Sequence, residues 1–192
     1  MLDNKIILEN DAVLLKPISA ADLSGYADIA IDEAIWKYFV FNIENYNDVV
    51  EFVEDGIKAS RTGERICFTI ISKHYDQIVG SMSFGNVSHK DRRLEIGWSW
   101  LGSTFQGTGI NQQAKFLMMQ YAFETLSYHR VEFKTDVLNQ QARRGLVKIG
   151  AAEEGILRSH TQMPHNRRRD TIYYSVLESE WPKIKSDIFG RK

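Results

Sequence analysis

The chain has 192 residues, is 43% hydrophobic, 26% charged and 11% aromatic, and carries 24 Lys+Arg against 25 Asp+Glu, a formal net charge of -1. That composition excludes disordered, collagen-like and low-complexity architectures and fits one globular unit, residues 1–192, that buries a core without staples. The balanced charge argues against nucleic-acid or membrane partners, and the single cysteine, Cys67, rules out an internal disulfide and a cysteine-based zinc site.

The first residues lack the pattern of a secretory leader, and no apolar run approaches the ~18 residues of a membrane span. A cytoplasmic protein is the expectation. Val13 to Ile18 reads as a strand broken by Pro17, and Ser19-Ala-Ala-Asp22 as a helix start with an acid three residues after the N-cap. Ile35 to Phe41 is rich in aromatics without a clean period: Trp36, Tyr38, Phe39 and Phe41 suit a core segment or the wall of a cleft. A helix is predicted from Asn47–Asp48 through Lys58, with Val49, Phe52, Val53 and Ile57 on one stripe.

Three strands follow, at Arg65–Ser72, Gln77–Val87 and Leu94–Leu101, joined by short polar turns that predict antiparallel hairpins. Cys67 falls in the first of them as a small core residue. The third alternates, so Leu94, Ile96, Trp98 and Trp100 are expected on one face and Glu95, Gly97 and Ser99 on the other. Gly102 to Gly109 leads into a helix from Ile110 to about Thr125, apolar on two sides and so packed between layers. A strand at His129–Val137, a helix at Asn139–Ile149 closed by Gly150, strands near Ala152–Arg158 and Thr171–Leu177, and a weakly helical tail from Trp181 complete the order. The fold class is α/β (α+β), with a mixed, mostly antiparallel sheet of about seven strands flanked by helices.

The chemistry concentrates where the third strand enters the glycine-containing loop. Gly107 and Gly109 let backbone approach a ligand, and the helix behind them offers free N–H groups and a positive dipole end, a natural anion site. No lysine or arginine lies between Glu95 and Asn111, so main-chain amides must do the binding. The glycine spacing of Gly102 and Gly107 matches a P-loop, but Thr108 stands where that motif needs lysine; a dinucleotide fingerprint fails for want of a third glycine after Gly109. The five histidines show no metal-binding spacing, and no metal is expected.

Gln106-Gly-Thr-Gly-Ile-Asn111, followed in order by Tyr121-Ala-Phe-Glu124, His129-Arg-Val-Glu132, Asn139, Lys148-Ile-Gly150 and Glu154-Gly-Ile-Leu-Arg158, resembles the GNAT N-acetyltransferases, in the branch of the ribosomal-protein N-terminal (alanine/serine) acetyltransferases. The resemblance is strongest over residues 94–158. It implies acetyl-CoA as co-substrate and transfer of its acetyl group to a primary amine, a protein N-terminus or a small molecule, by direct attack on the thioester. It implies a strand splayed at Trp100 and Leu101 to pair with the pantetheine arm. It implies a diphosphate held at Gln106, Gly107, Thr108, Gly109, Ile110 and Asn111, and a pantetheine contact from Asn139. Glu95 is the candidate proton acceptor for the amine, and Arg144, with Arg143, a candidate for the 3′-phosphate.

Three positions depart from the family pattern. Asn111 replaces a small residue, Ala142 replaces a serine, and Leu146 replaces a tyrosine. The last two remove hydroxyls that could protonate the leaving thiolate, so it must leave unassisted or use water, Tyr173 or Tyr174; this raises a second reading, a catalytically weak acyl-CoA sensor or interaction module. Arg167-Arg-Arg169 reads as a solvated loop or an acidic-ligand patch, and His160 and His165 flank that loop; a homodimer is left open.

Overall fold

A computed structural model describes residues 3–190. One eight-stranded sheet runs in the spatial order β1-β2-β3-β4-β5-β6-β8-β7. Its strands are β1 (Leu8–Glu9), β2 (Val13–Pro17), β3 (Arg65–Ser72), β4 (Gln77–Ser88), β5 (Arg93–Leu101), β6 (Arg130–Asp136), β7 (Ala152–Gln162) and β8 (Arg168–Leu177). Every neighbouring pair is antiparallel except β5 with β6. The strand expected to end near Arg158 continues to Gln162, and β1 adds a short pairing onto β2, Leu8 opposite Leu15.

Helices cover both faces. On one lie α1 (Leu23–Ala30), α2 (Glu33–Trp36) and α3 (Tyr46–Thr62); on the other lie α4 (Ile110–Gln120), α5 (Gln140–Lys148) and α6 (Trp181–Ile184). The helix expected to run to Thr125 changes character at Tyr121, where Tyr121–Thr125 forms a wider π turn. Strand parity sorts the core. Ile66, Phe68 and Ile70 of β3 with Met82 and Phe84 of β4 pack beneath α4, while Cys67 joins Tyr26, Trp36, Val49, Val53 and Trp100 beneath α1–α3. Each such large apolar side chain contributes roughly 1.5–3 kcal/mol by leaving water. Trp36 settles the aromatic stretch: it is buried, packs on Phe39, Phe41 and Trp100, and donates its indole N–H to Ala30 O at 2.8 Å.

The strict alternation expected for β5 does not hold. Ser83 faces Gly97 but Ser81 faces Trp100, so two residues of β4 span three of β5. The extra residue is a bulge, and Trp98 sits in it with φ 51°. Leu94 and Ile96 face α4 as expected. The bulge resets the parity, so Trp98 and Trp100 join Glu95 on the α3 face instead of opposing it. The Trp98 ring lies where a Cβ on Gly85 would fall, 2.5 Å from its nearest carbon. Glycine at 85 is what lets the indole lie flat on the sheet.

A buried polar knot fixes the first helices to this face. Asp22 accepts hydrogen bonds from Ser19 N (2.9 Å) and Thr69 Oγ1 (2.9 Å) and pairs with Lys16, and Tyr26 Oη donates to Thr69 Oγ1 at 2.9 Å. Burial raises the Tyr26 phenol well above its ordinary pKa. Removing the carboxylate strands several donors at once. Asp22→Ala is expected to lower stability by about 2–3 kcal/mol in urea titration; an unchanged midpoint would show that the knot contributes nothing.

Candidate active site

β5 and β6 pair only at Arg93↔Arg130, Leu94↔Val131 and Glu95↔Glu132. From Ile96 onward β5 bonds to β4 alone, so no strand pairs with Trp100 and Leu101 on the β6 side, the splay that the family resemblance implied; Leu101 O is taken by the Gln106 side chain. The bulge lies at the point of divergence. Trp100 Nε1 adds the one buried side-chain donor without a partner among the described residues.

The loop beyond this cleft leads straight into α4. Gly107 and Gly109 have φ 78° and 89°, and a Cβ on either would meet nothing within 4 Å. Glycine is therefore required there for backbone conformation and not for space. Gly109 is the N-cap of α4 and supplies no side-chain oxygen; Thr108 Oγ1 turns away to Phe105 O at 2.7 Å. The first amides of α4 are thus left without a side-chain cap. The contrast with α3 is sharp: Asn45 Oδ1 accepts from Asn47 N and Asp48 N there. Gln106 holds the loop in place, donating to Leu101 O at 3.3 Å and accepting from Gln141 Nε2 at 3.0 Å. That second bond brings the start of α5 beside the start of α4.

Other predicted residues fall into distinct roles. Asn139 Oδ1 caps α5 by accepting from Ala142 N at 3.0 Å, which leaves its amide N–H2 as the free donor. Arg144 is exposed, whereas Arg143 is tied to Val137 O and Tyr174 Oη. Leu146 lies in the core. Tyr174 is buried and donates to Glu153, while Tyr173 sits opposite Lys134 on the Glu95 face of the sheet. The basic run is not a patch: Arg167 pairs with Asp136, Arg168 with Ser159, and Arg169 is buried against Thr171.

Glu95 is 3% exposed. Its Oε2 accepts from Asn86 Nδ2 at 2.6 Å and pairs with Lys134 Nζ at 2.9 Å. Lys134 also sits 5.8 Å from the centre of the Trp98 ring, whose surroundings include the Arg65 guanidinium at 5.1 Å. A cavity of about 330 Å³ opens beside Trp98, between α3 and the sheet. Its floor is made of small residues, Cys67, Ser81 and Ser83, and its wall of Phe41, Phe52 and Trp98. Asp48, Glu51 and Asp55 of α3 stand at its rim, Asp55 held at 2.5 Å by Arg65. The sequence reading missed this rim, although carboxylates at i, i+3 and i+7 are a legible helix face.

The arrangement is a helix start whose first amides have no side-chain cap, an opened strand edge beside it, and a carboxylate and an acidic-rimmed cavity on the adjoining face. The family model for the acetyltransferase (GNAT) domain matches residues 12–152. A Bacillus subtilis protein, YdaF, named as a candidate ribosomal N-acetyltransferase, is 35% identical over 108 residues, 56% of this chain and 58% of that protein. A GCN5-related N-acetyltransferase from Brucella melitensis superposes with a TM-score of 0.87 at 26% identity, over 97% of this chain and 85% of that one. Mycobacterium smegmatis RimJ, solved in complex with CoA-disulfide, shares the fold at 22% identity with a TM-score of 0.76, over 92% of this chain and 88% of that one. With a family model covering most of its length and a sheet that opens where that fold does, the chain belongs to the GNAT acetyltransferases.

Proposed function

We propose that residues 1–192 form one acetyl-CoA-dependent N-acetyltransferase domain that acetylates a cationic primary amine. The observation that carries this reading is the uncapped start of α4 beside the opened edge of β5. Coenzyme A has a diphosphate for the first and an amide-bearing arm for the second, and the residues present fit both. RimJ, a fold relative, is seen with a CoA derivative, which supports the same choice.

In this reading the amides from Gly107 to Asn111 hold the diphosphate without a side-chain cation at the loop. The open main chain of Trp100 and Leu101 aligns the pantetheine arm, Asn139 offers its amide N–H2 to it, and Arg144 reaches the 3′-phosphate. The thioester then lies at the Gly97–Trp98 bulge, where a main-chain N–H freed from the ladder meets charge developing on the carbonyl oxygen. The acceptor enters the cavity under α3, its positive charge drawn by Asp48 and Glu51 and its apolar body held by Phe41, Phe52 and Trp98. Only a neutral amine attacks, so a proton must leave first. Glu95 receives it through a water, because Lys134 and Asn86 already occupy Oε2 and leave Oε1 as the free acceptor. Holding both reactants in line supplies much of the acceleration.

The second reading, a CoA-binding sensor with little turnover, draws on Leu146 in the core and on Tyr174 committed to Glu153. Thiol release with a panel of amines separates the two: acetylated product supports the enzyme, and tight CoA binding with no product for any amine supports the sensor. Glu95→Gln is expected to lower the acetylation rate about 100-fold with CoA affinity unchanged. An unaltered rate would release Glu95 from this role. Glu51→Gln with Asp48→Asn is expected to raise the KM for the amine about tenfold at constant kcat; equal losses in both constants would move the acceptor out of this cavity.

A further inference from the structure

Lys115 lies one helical turn below Asn111 on α4 and is 8% exposed, more than nine-tenths buried. Among the described residues its one hydrogen-bond partner is Asn111 Oδ1, and it pairs with no carboxylate. Several charges on the elements packed on α4 are taken by other partners, while Asp3 acts on Tyr121 just beyond its end and Asp187 lies in the C-terminal turn that packs on Phe116. Glu9 of β1 pairs with Lys73, Lys16 of β2 with Asp22, Arg93 and Glu95 of β5 with Glu132 and Lys134, and Glu124 of the π turn with Lys185. Tyr121, also in that turn, carries a phenol that burial raises. A buried ammonium without an anion is costly, and proteins keep such groups where something supplies the missing charge.

The side chain reaches towards the N-terminus of α4, as helical side chains do, and ends on a residue of its first turn. With Oδ1 committed to Lys115, the Asn111 amide turns its N–H2 the other way, and Asn111 is exposed at the mouth of the cradle. We propose that Lys115 is a cation held in reserve for the diphosphate, with Asn111 as the link that couples it to the open amides of α4. This rests on the coenzyme A reading above and adds the positive charge that the loop itself lacks. It also gives a use to the side chain at 111, where the family pattern has a small residue.

Burial alone pushes the Lys115 amine down, to about 7. A dianionic ligand beside it stabilises the charged form and raises that value. The sign follows by linkage. Below about pH 7 the amine is charged in free and bound protein alike and adds no pH dependence. Above it the free protein is neutral and the complex charged, so binding takes up a proton and affinity falls as pH rises from 7 towards 9. Phosphate groups finish titrating near pH 6 and do not confuse that window.

The test is calorimetric titration of coenzyme A, and of 3′-dephospho-coenzyme A, into the wild-type chain, Lys115→Met and Lys115→Arg at pH 7, 8 and 9. Methionine fills the same apolar space, so Lys115→Met is expected to be at least as stable as the wild type without ligand. It is expected to bind both ligands about 10- to 100-fold more weakly at pH 7 and to lose the pH dependence. Lys115→Arg should recover part of the affinity with a flat profile. Proton uptake, read from buffers of differing ionisation enthalpy, should be present in the wild type alone. Equal affinity in Lys115→Met would overturn the inference while leaving the coenzyme A site standing. An effect confined to the ligand that bears the 3′-phosphate would overturn it as well. No uptake of coenzyme A by the folded wild type would remove both.

Discussion

The loss of pairing between β5 and β6 governs everything built around this sheet. Two parallel strands stay together for three residues and then part, at the place where β5 spends one residue on a bulge. A sheet interior with unpaired main chain is unfavourable unless something completes it. The protein arranges two helix starts beside the opening, joined by Gln106 and Gln141, and leaves one of them, α4, without a side-chain cap. The unsatisfied groups thus gather in one region, the region that the proposed function gives to a diphosphate and an amide-bearing arm. The start of α3, by contrast, is capped by Asn45.

The same bulge determines the chemistry on the adjoining face. Without it, Trp98 and Trp100 would point into the α4 layer and Glu95 would stand alone. With it, Trp98 lies over Gly85 within reach of Arg65 and Lys134, on the face that carries both the Glu95–Lys134 pair and the acidic-rimmed cavity. Glu95 is held by Asn86 and Lys134 in one orientation. The cavity is walled by aromatic rings and rimmed by carboxylates, and so favours an acceptor with an apolar body and a positive charge.

The long periodic elements were legible in the amino-acid sequence. β3 matches its predicted limits, and α3, α5 and the hairpins follow from stripes, caps and turns, because local pattern and tertiary packing agree there. The glycine turn was legible too, since Gly107 and Gly109 sit directly before a helix and both take positive φ. The bulge was not. Leu94 to Trp100 alternates perfectly as a string, and the break comes from pairing with β4, which periodicity does not encode. The one trace was glycine on both strands: at 85 it leaves room for the Trp98 ring, and at 97 for the Glu95 carboxylate. β1 was invisible for a related reason: two residues carry no period, and only pairing with β2 makes them a strand. Lys115 passed unnoticed within an apolar helix, where one charged residue reads as a solvent-facing position until burial shows otherwise.

The central claim is that main-chain amides at the start of α4 hold the diphosphate of coenzyme A. Backbone amide shifts of the isotopically labelled chain, followed as coenzyme A is added, test it most directly. The account predicts the largest displacements at Gly107, Thr108, Gly109, Ile110 and Asn111, with slowed solvent exchange at the same amides. Saturable binding that leaves those five signals unmoved, or displaces a group on the far side of the sheet instead, would contradict it.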